Sequence, residues 1–222
     1  MTLTTEQLCQ RLGALPTPNI GDAMERLGVL DSAIKPVWAG GRLAGPAFTV
    51  WTRAGDNAYI HKALTEAARG DVVVVNGQGD ESRALLGDLI GARARNAGIA
   101  GFVIDGAVRD AAGLEKIGMP VFARATSPAG PYKHGPGALG CPVAVGGVAV
   151  LPGDIVVGDD DGAVVVPRGR AEEVLSAAEA VRQDEAERMR NILAAANGTD
   201  STGMNESEAA DESEEATACA AR

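Results

Sequence analysis

The spacing of hydrophobic residues divides the chain into a helical start, a mixed middle and a β-rich end. Apolar residues recur at helical spacing over residues 5–12 and again over residues 17–28, where Thr17 and Pro18 form a start signal. Between residues 35 and 53, glycine and proline punctuate short runs rich in β-branched and aromatic residues. The pattern therefore predicts two N-terminal helices followed by strand.

The middle of the chain alternates between helix and strand patterns. A helix capped by Asp56 or Asn57 and ending at Gly70 leads into DVVVVNG, an apolar run typical of a strand covered on both faces. The following GQGDES predicts a flexible loop. A helix from Gly87–Asp88 to Gly98, the strand IAGFVID, the helix AAGLEKIG and the strand PVFAR come next. This order predicts an α/β core.

The last third of the chain begins with SPAGPYKHGPGALG, a long Gly- and Pro-rich loop of the kind that often forms a lid or wall of a site. The runs CPVAV, VAVLPGD, IVVGDDDG and AVVVP follow at hairpin spacing and predict an antiparallel block. Arg168 to Ala196 is rich in Ala, Glu and Arg and predicts one long helix. Residues 1–196 are therefore expected to form a single domain.

Composition sets residues 197–222 apart from the rest. They contain almost no large apolar residue, so an acidic disordered tail is expected. From Ala196 onward seven acidic side chains stand against the lone Arg222, and removing that balance from the net charge of -10 leaves the first 195 residues only mildly acidic. Neither part offers the basic face that a phosphate backbone requires, so no nucleic-acid partner is expected.

The N-terminal residues, the apolar runs and the cysteines indicate which cellular compartment to expect. The first residues lack the basic start and apolar run of a secretory signal, and no apolar run approaches the roughly 18 residues of a membrane span. Cys9, Cys141 and Cys219 are widely spaced and form no CxxC pair, which disfavours a disulfide frame or a zinc site. A cytoplasmic protein with reduced cysteines and no membrane partner is expected.

The stretch Gly87–Asp110, GDLIGARARNAGIAGFVIDGAVRD, carries charged residues at both ends. Its helix start leaves backbone N–H groups that can hold a small carboxylate, although Asp88 is also what an ordinary N-cap requires. Arg109 and Asp110 follow a buried strand, where the carboxyl edge of an α/β sheet usually carries ligands. An aspartate there suits Mg²⁺ and an arginine suits a carboxylate or enolate, but a surface ion pair has the same sequence.

The same stretch, with twenty residues between Asp88 and Arg109–Asp110, resembles the signature of the class II pyruvate aldolases that cleave 4-hydroxy-4-methyl-2-oxoglutarate and 4-carboxy-4-hydroxy-2-oxoadipate. That signature is shared with the RraA-like proteins, whose founding member regulates ribonuclease E. The resemblance extends through GDVVVVNGQGD, GMPVFARATSPAGP and PGDIVVGDDDGAVVVP, and it covers roughly Thr17 to Ala195.

The resemblance implies an α/β chain of the β/β/α swivelling-domain (RraA-like) fold, with N-terminal helices and a long C-terminal helix. It implies a homotrimer, or a hexamer of two trimers, with active sites at subunit interfaces. Asp110 corresponds to the residue that binds a divalent metal, Mg²⁺ or Mn²⁺, and Arg109 to the residue that contacts the pyruvyl group. Asp88 corresponds to the residue that holds metal-bound water.

By the same resemblance, the backbone at Leu89 and Ile90, after Gly87, receives the substrate carboxylate. An acidic residue on the C-terminal helix of the adjacent subunit completes the aldolase site. The best match is Glu185 in RQDEAERMR, with Asp184 and Glu187 as neighbouring alternatives. A polar helix face would contain all of these carboxylates without any catalytic role.

The implied reaction is metal-dependent retro-aldol cleavage of 4-hydroxy-4-methyl-2-oxoglutarate, or a related 4-hydroxy-2-oxo acid, to pyruvate and a second 2-oxo acid. Oxaloacetate decarboxylation is the expected side activity, because it passes through the same pyruvate enolate. The alternative is a non-catalytic RraA-like regulator that binds an RNA-processing enzyme. A lyase acting on another 2-oxo acid is a third possibility, and the sequence does not choose among these substrates.

Four other features contain residue types that can act in catalysis or bind metal, but each is better explained by a simpler role. Lys133 suits a loop-anchoring or substrate-rim role better than a Schiff base, because its loop is open. His61 and His134 lack a visible nucleophile or metal partner in sequence, and we expect structural or rim roles for both. Asp159–Asp161, in DDDG between two apolar strands, is typical of a tight turn rather than a metal cluster.

Overall fold

The computed structural model describes residues 3–199 of the chain, and the side chains of residues 3–195. Residue contacts divide the chain into two compact units, Met1–Arg182 and Gln183–Arg222. No helix within the described range is both long and apolar enough to cross a membrane. The predicted disordered tail lies largely outside the described residues, which end at position 199.

Six α-helices occur in the described part of the chain. They are α1 (Thr5–Gly13), α2 (Thr17–Ala23), α3 (Ala58–Glu66), α4 (Asp88–Ala97), α5 (Ala111–Lys116) and α6 (Ala171–Thr199). A short 3₁₀ turn at Arg168–Arg170 leads into α6, as expected for the predicted long C-terminal helix. Helix α1 begins with a reciprocal capping box in which Thr4 and Gln7 each accept a hydrogen bond from the other's backbone N–H.

Ten strands are present over the same range. They are β1 (Lys35–Pro36), β2 (Leu43–Thr52), β3 (Val72–Ala84), β4 (Gly101–Val108), β5 (Val121–Thr126), β6 (Gly137–Leu139), β7 (Val143–Val145), β8 (Val148–Val150), β9 (Ile155–Asp159) and β10 (Gly162–Val166). Strands β2 to β5 are parallel neighbours, and the main sheet has the order β1-β5-β4-β3-β2-β9-β10, with β6 also paired to β2. Strands β7 and β8 form a separate hairpin.

This topology confirms the predicted strand–helix–strand–helix–strand middle and the antiparallel end. All eight residues of β4 are buried, because the sheet is covered on both faces there. One apolar cluster packs α3, α4 and α5 against the parallel strands, while α1, α2 and the first turns of α6 pack over β9 and β10. The carboxyl ends of β3 and β4 consequently meet the start of α4 at one rim.

Two predicted helix ends are wrong. Helix α2 ends at Ala23 rather than Gly28, because Glu25 and Arg26 adopt positive φ angles and the chain turns to pair Val29 with β10. Helix α3 ends at Glu66 rather than Gly70. The residues after it are held instead by Asp71, whose carboxylate accepts the N–H of Ala68.

The predicted flexible loop GQGDES is also wrong, because β3 continues through it to Ala84. The strand accommodates the polar run with two register shifts against β4. Gln78 has a positive φ angle, its N–H is satisfied by the side chain of Asn76, and its side chain donates to the carbonyl of Thr52. Local polar contacts therefore replace regular strand pairing in this segment. The chain then continues to the start of α4.

Candidate active site

A cavity of about 230 Å³ lies where the start of α4, the end of β4, α3 and the loop after β5 meet. Gly87, Asp88, Leu89 and Ile90 line it together with Arg109 and Asp110. These are the residues that the sequence singled out at the two ends of one stretch. The structure therefore brings both ends of that stretch to one cavity, as the helix–strand path predicts.

Backbone hydrogen bonds fix this convergence. The N–H of Leu85 donates to the carbonyl of Ala107 at 2.8 Å, and the N–H of Arg109 donates to the carbonyl of Leu86 at 2.9 Å. The segment before α4 therefore runs alongside the end of β4, and the backbone of Gly87 lies beside Arg109.

The first turn of α4 presents backbone donors to the cavity. Gly87 is the N-cap, and the first helical hydrogen bond joins the N–H of Gly91 to the carbonyl of Gly87 at 3.0 Å. Within the described residues, no hydrogen bond is made by the N–H groups of Leu89 and Ile90. Free N–H groups and the partial positive charge of a helix start suit a carboxylate.

Asp110 has an unusual backbone conformation for a residue other than glycine, with φ 59° and ψ 41°. It lies between β4 and α5, and aspartate tolerates this left-handed region better than most residues. Such strain recurs at functional sites, where the surrounding structure holds it in place. Its carboxylate Oδ2 lies 3.2 Å from Nε of Arg109, and both side chains remain partly exposed to the cavity.

The acidic groups of the cavity fit a hard divalent cation. Asp110 lies at the start of α5, and Asp88 packs against the same helix, since a Cβ added to Gly113 would lie 2.8 Å from Asp88 Oδ2. No group of three or more His, Cys, Asp or Glu side chains that could hold a metal occurs among the described residues. Two carboxylates are nonetheless sufficient for Mg²⁺, which keeps several waters and takes one or two protein carboxylates.

Four further polar residues line the cavity. For Lys133 and His61 this agrees with the rim roles expected from sequence, whereas Asn57 and Arg93 had no predicted role in a site. Asn57 and His61 face it from α3 and its N-cap, one helical turn apart; Arg93 extends from α4 and Lys133 from the long loop. The spacing of Asn57 and His61 is a usable signal, because residues four apart share a helix face. Arg93 has no sequence signal beyond its place one turn after Leu89.

Asn57 is almost fully buried and only half satisfied. Its Nδ2 donates to the carbonyl of Leu85 at 3.0 Å, while its Oδ1 is a buried acceptor without a hydrogen-bond partner in the described part of the chain. Leaving a buried acceptor unpaired costs on the order of 1–3 kcal/mol.

His61 is held in its neutral form. Burial lowers its pKa below the ordinary value of 6.5, and the positive charges of Arg93 and Lys133 lower that pKa further. The cavity therefore contains three cations, Arg93, Lys133 and Arg109, beside an uncharged imidazole. Asp88 and Asp110 line the same cavity, so three cations face two carboxylates and the lining favours an anionic ligand.

The remaining predicted residues lie elsewhere. Glu185 is on α6 in the unit Gln183–Arg222, as are Glu187 and Asp184, whose carboxylate pairs with Arg188 at 2.7 Å. His134 does not line the cavity, and its backbone N–H donates to Asp56. Asp160 and Asp161 form the two-residue turn between β9 and β10, which confirms the turn interpretation.

Comparison with known proteins identifies the family. A family model described as RraA-like, Aldolase/RraA, matches residues 17–165. A protein of Halalkalibacterium halodurans named "Putative 4-hydroxy-4-methyl-2-oxoglutarate aldolase" is 43% identical over 178 residues, which cover 80% of this chain and 85% of that protein. The chain belongs to the RraA-like family.

Solved structures agree with this assignment. Streptomyces coelicolor RraAS2, described as an unusual member of the RNase ES inhibitor RraA protein family, is 32% identical with a TM-score of 0.74, covering 85% of this chain and 99% of that one. The RNA-processing inhibitor RraA from Thermus thermophilis is 35% identical with a TM-score of 0.63, covering 68% and 92% respectively. The predicted RraA-like α/β fold with a long C-terminal helix is thus confirmed.

Proposed function

We propose that the protein is a divalent-metal-dependent lyase that cleaves 4-hydroxy-4-methyl-2-oxoglutarate, or a related 4-hydroxy-2-oxo acid, to pyruvate and a second 2-oxo acid. The observation that carries the proposal is the convergence of the α4 start, Arg109 and Asp110 on one cavity. The family relative named as an aldolase supports the same reaction class. Oxaloacetate decarboxylation follows as a side activity, because it also leaves a pyruvate enolate.

The chain's own residues suit the parts of this reaction. The N–H groups of Leu89 and Ile90 receive the C1 carboxylate, and the Arg109 guanidinium balances the charge that grows on the C2 keto oxygen. Asp88 orients a water that takes the proton of the C4 hydroxyl. The C3–C4 bond then breaks, its electron pair forms the pyruvate enolate, and protonation at C3 completes the release of pyruvate.

Asp110 is the residue that would hold the divalent cation, Mg²⁺ or Mn²⁺, with Asp88 beside it. When bound, the cation supplies Lewis-acid polarisation of the keto group. The oxygen donors of the two aspartates suit such a hard ion, whereas the site lacks the thiolate and imidazole set that would favour zinc.

Arg93 and Lys133 provide for a second carboxylate. Both line the cavity, and among the described residues neither forms an ion pair with an Asp or Glu side chain. A substrate bound through its C1 carboxylate at α4 would bring a carboxylate on C4 within the reach of such long side chains. The cavity chemistry therefore favours dicarboxylates over monocarboxylic 4-hydroxy-2-oxo acids.

Pyruvate release, followed with lactate dehydrogenase, tests the proposal. Turnover of 4-hydroxy-4-methyl-2-oxoglutarate and of oxaloacetate is expected with Mg²⁺ or Mn²⁺, and it should stop with EDTA and return when the metal is restored. Asp110→Asn should abolish this metal-dependent turnover. No metal-dependent turnover of either compound would overturn the proposal.

The same proposal includes a homotrimer, or a hexamer of two trimers, in which Glu185 of one copy completes the site of another. Glu187 and Asp184, whose carboxylate pairs with Arg188, are the neighbouring alternatives. Co-assembly of Glu185→Gln subunits with Asp110→Asn subunits tests this sharing, because mixed oligomers would contain some intact sites. Activity regained in the mixture supports shared sites, and mixtures as inactive as the parents contradict them.

The second candidate is a regulator that binds an RNA-processing enzyme. It is favoured by the likeness to the Streptomyces coelicolor and Thermus proteins, which are described as an inhibitor-family member and an RNA-processing inhibitor. Inhibition of a purified ribonuclease E-type nuclease by the wild-type protein, undiminished in Arg109→Lys, would support this role. Lyase turnover with no nuclease inhibition would leave the aldolase proposal alone.

A further inference from the structure

The loop that carries Lys133 is fastened by a buried carboxylate outside the cavity. Asp56 is fully buried and lies immediately before α3. Its Oδ2 accepts the N–H groups of His134 at 2.8 Å and Gly135 at 2.9 Å, and its Oδ1 accepts the N–H of Ala58 at 2.9 Å. One side chain therefore joins the start of α3 to the loop.

Backbone contacts fasten the loop on the other side of Lys133. The N–H of Tyr132 donates to the carbonyl of Gly55 at 2.7 Å, and the N–H of Asn57 donates to the carbonyl of Tyr132 at 3.0 Å. The Tyr132 ring also lies beneath the guanidinium of Arg83, 4.3 Å from the ring centroid. Lys133 is thus bracketed by fixed residues, although its own side chain is exposed to the cavity.

The charge of Asp56 makes this attachment strong. Burial by itself raises the pKa of the Asp56 carboxyl, but the three backbone N–H groups and the charge of Arg53 outweigh it, and the pKa lies below its ordinary value. A charged carboxylate that is fully buried needs its donors, because leaving it short of hydrogen bonds is costly. The loop donors at His134 and Gly135 are two of the three.

We propose that Asp56 is a positioning residue that holds Lys133 at the cavity and so sets the affinity for the second substrate carboxylate. Asp56 also precedes Asn57, so the same contacts help to place two residues that line the cavity, Asn57 and Lys133. The proposal rests on the proposed function for its substrate. The attachment of the loop can be measured independently of turnover.

Asp56→Asn is the direct test. An asparagine has a single acceptor oxygen, so it cannot serve Ala58 and the loop amides together, and one side must lose its bond. Asp159→Asn is the matched control, because Asp159 is also buried and accepts the N–H and hydroxyl of Thr17 but lines no part of the cavity. Both variants remove a buried charge, but of the two aspartates only Asp56 binds the loop.

Two measurements are expected to separate the variants. Hydrogen exchange of the segment 131–137 should be faster in Asp56→Asn and unchanged in Asp159→Asn. The KM for 4-hydroxy-4-methyl-2-oxoglutarate should rise about tenfold in Asp56→Asn with a smaller change in kcat, as expected for the loss of a hydrogen bond to a charged group. In a Lys133→Met background, Asp56→Asn should add little to KM, because the effect passes through Lys133.

The outcomes are distinct. Unchanged exchange, or faster exchange with unchanged KM, overturns the positioning role, as does a KM effect that persists undiminished in Lys133→Met. A wild-type protein without lyase activity overturns the proposed function alone, and the exchange comparison still decides whether Asp56 holds the loop. If Asp56→Asn does not fold, Asp56→Glu replaces it, since it keeps the charge and displaces the carboxylate by one methylene.

Discussion

Gly87 lies directly against the carboxylate of Asp110, so that a Cβ at position 87 would overlap Asp110 Oδ2 and lie 3.0 Å from Cγ of Arg109. The φ of Gly87 is -145°, which any residue adopts, so space and not backbone freedom requires glycine here. The helix start and the Arg109–Asp110 pair are therefore packed as one unit. Although Gly87 and Asp110 are far apart in sequence, their contact leaves no room for a methyl group.

Gly87→Ala should consequently damage the site more than the fold. The added methyl group must displace the Asp110 carboxylate, and a displacement near 1 Å in a positioned group costs about a hundredfold in rate. Lyase kcat and the thermal midpoint of unfolding are the measurements. Gly130→Ala is the control, because its Cβ would lie an ordinary 3.6 Å from Arg109 Nη1. Equal kcat in the two variants would contradict the packing argument.

Arg109→Lys should lower turnover by about a hundredfold or more while the oligomeric state stays that of the wild-type protein. Lysine keeps the charge but loses the planar fork that we propose for the keto oxygen, and removal of one such donor commonly costs that much. Steady-state kinetics and size-exclusion chromatography measure the two parts. Arg170→Lys changes an exposed arginine paired with Glu173 and serves as the control. Wild-type turnover in Arg109→Lys would place the chemistry elsewhere.

The core of the site is predictable from sequence for a definite physical reason. A helix followed by a buried parallel strand brings its two ends to one rim, so Asp88 and Arg109–Asp110 must be near each other. From sequence, Lys133 has only a general rim or anchoring role and Asn57 has none, since their places depend on how α3 and the long loop pack. Asp56 reads only as a helix cap in sequence, and its bonds to His134 and Gly135 appear only in the fold.

The errors in the secondary structure predicted from sequence have a related cause. GQGDES has the composition of a free loop, yet β3 passes through it because Gln78 and Asn76 satisfy the backbone from the side. Helix α2 stops at Ala23 because pairing of Val29 with Val164 outweighs local helical preference. Both errors arise where tertiary partners, absent from the local pattern, decide the backbone conformation.

Replacement of Arg93 by Gln should weaken discrimination between substrates with and without a carboxylate on C4. Loss of one charged contact should raise the KM for 4-hydroxy-4-methyl-2-oxoglutarate about tenfold. Cleavage of 4-hydroxy-4-methyl-2-oxopentanoate, which has a methyl group in place of that carboxylate, should change little. The ratio of kcat/KM for the two substrates is the measurement. Arg95→Gln, two residues further along α4 and outside the cavity lining, should leave that ratio unchanged. Equal losses on both substrates in Arg93→Gln would contradict the assignment.

His61 should titrate below pH 6.5, because burial and the charges of Arg93 and Lys133 oppose its protonation. The unfolded chain then binds the proton more readily, so the stability contributed by neutral His61 is present above pH 6.5 and is lost as pH falls toward the folded pKa. Histidine NMR titration of wild-type protein and of Lys133→Met measures the pKa. Removing the lysine charge should raise it, while burial, the larger cause, should keep it below 6.5. A His61 pKa unmoved by Lys133→Met would show that the lysine side chain does not face the imidazole across the cavity.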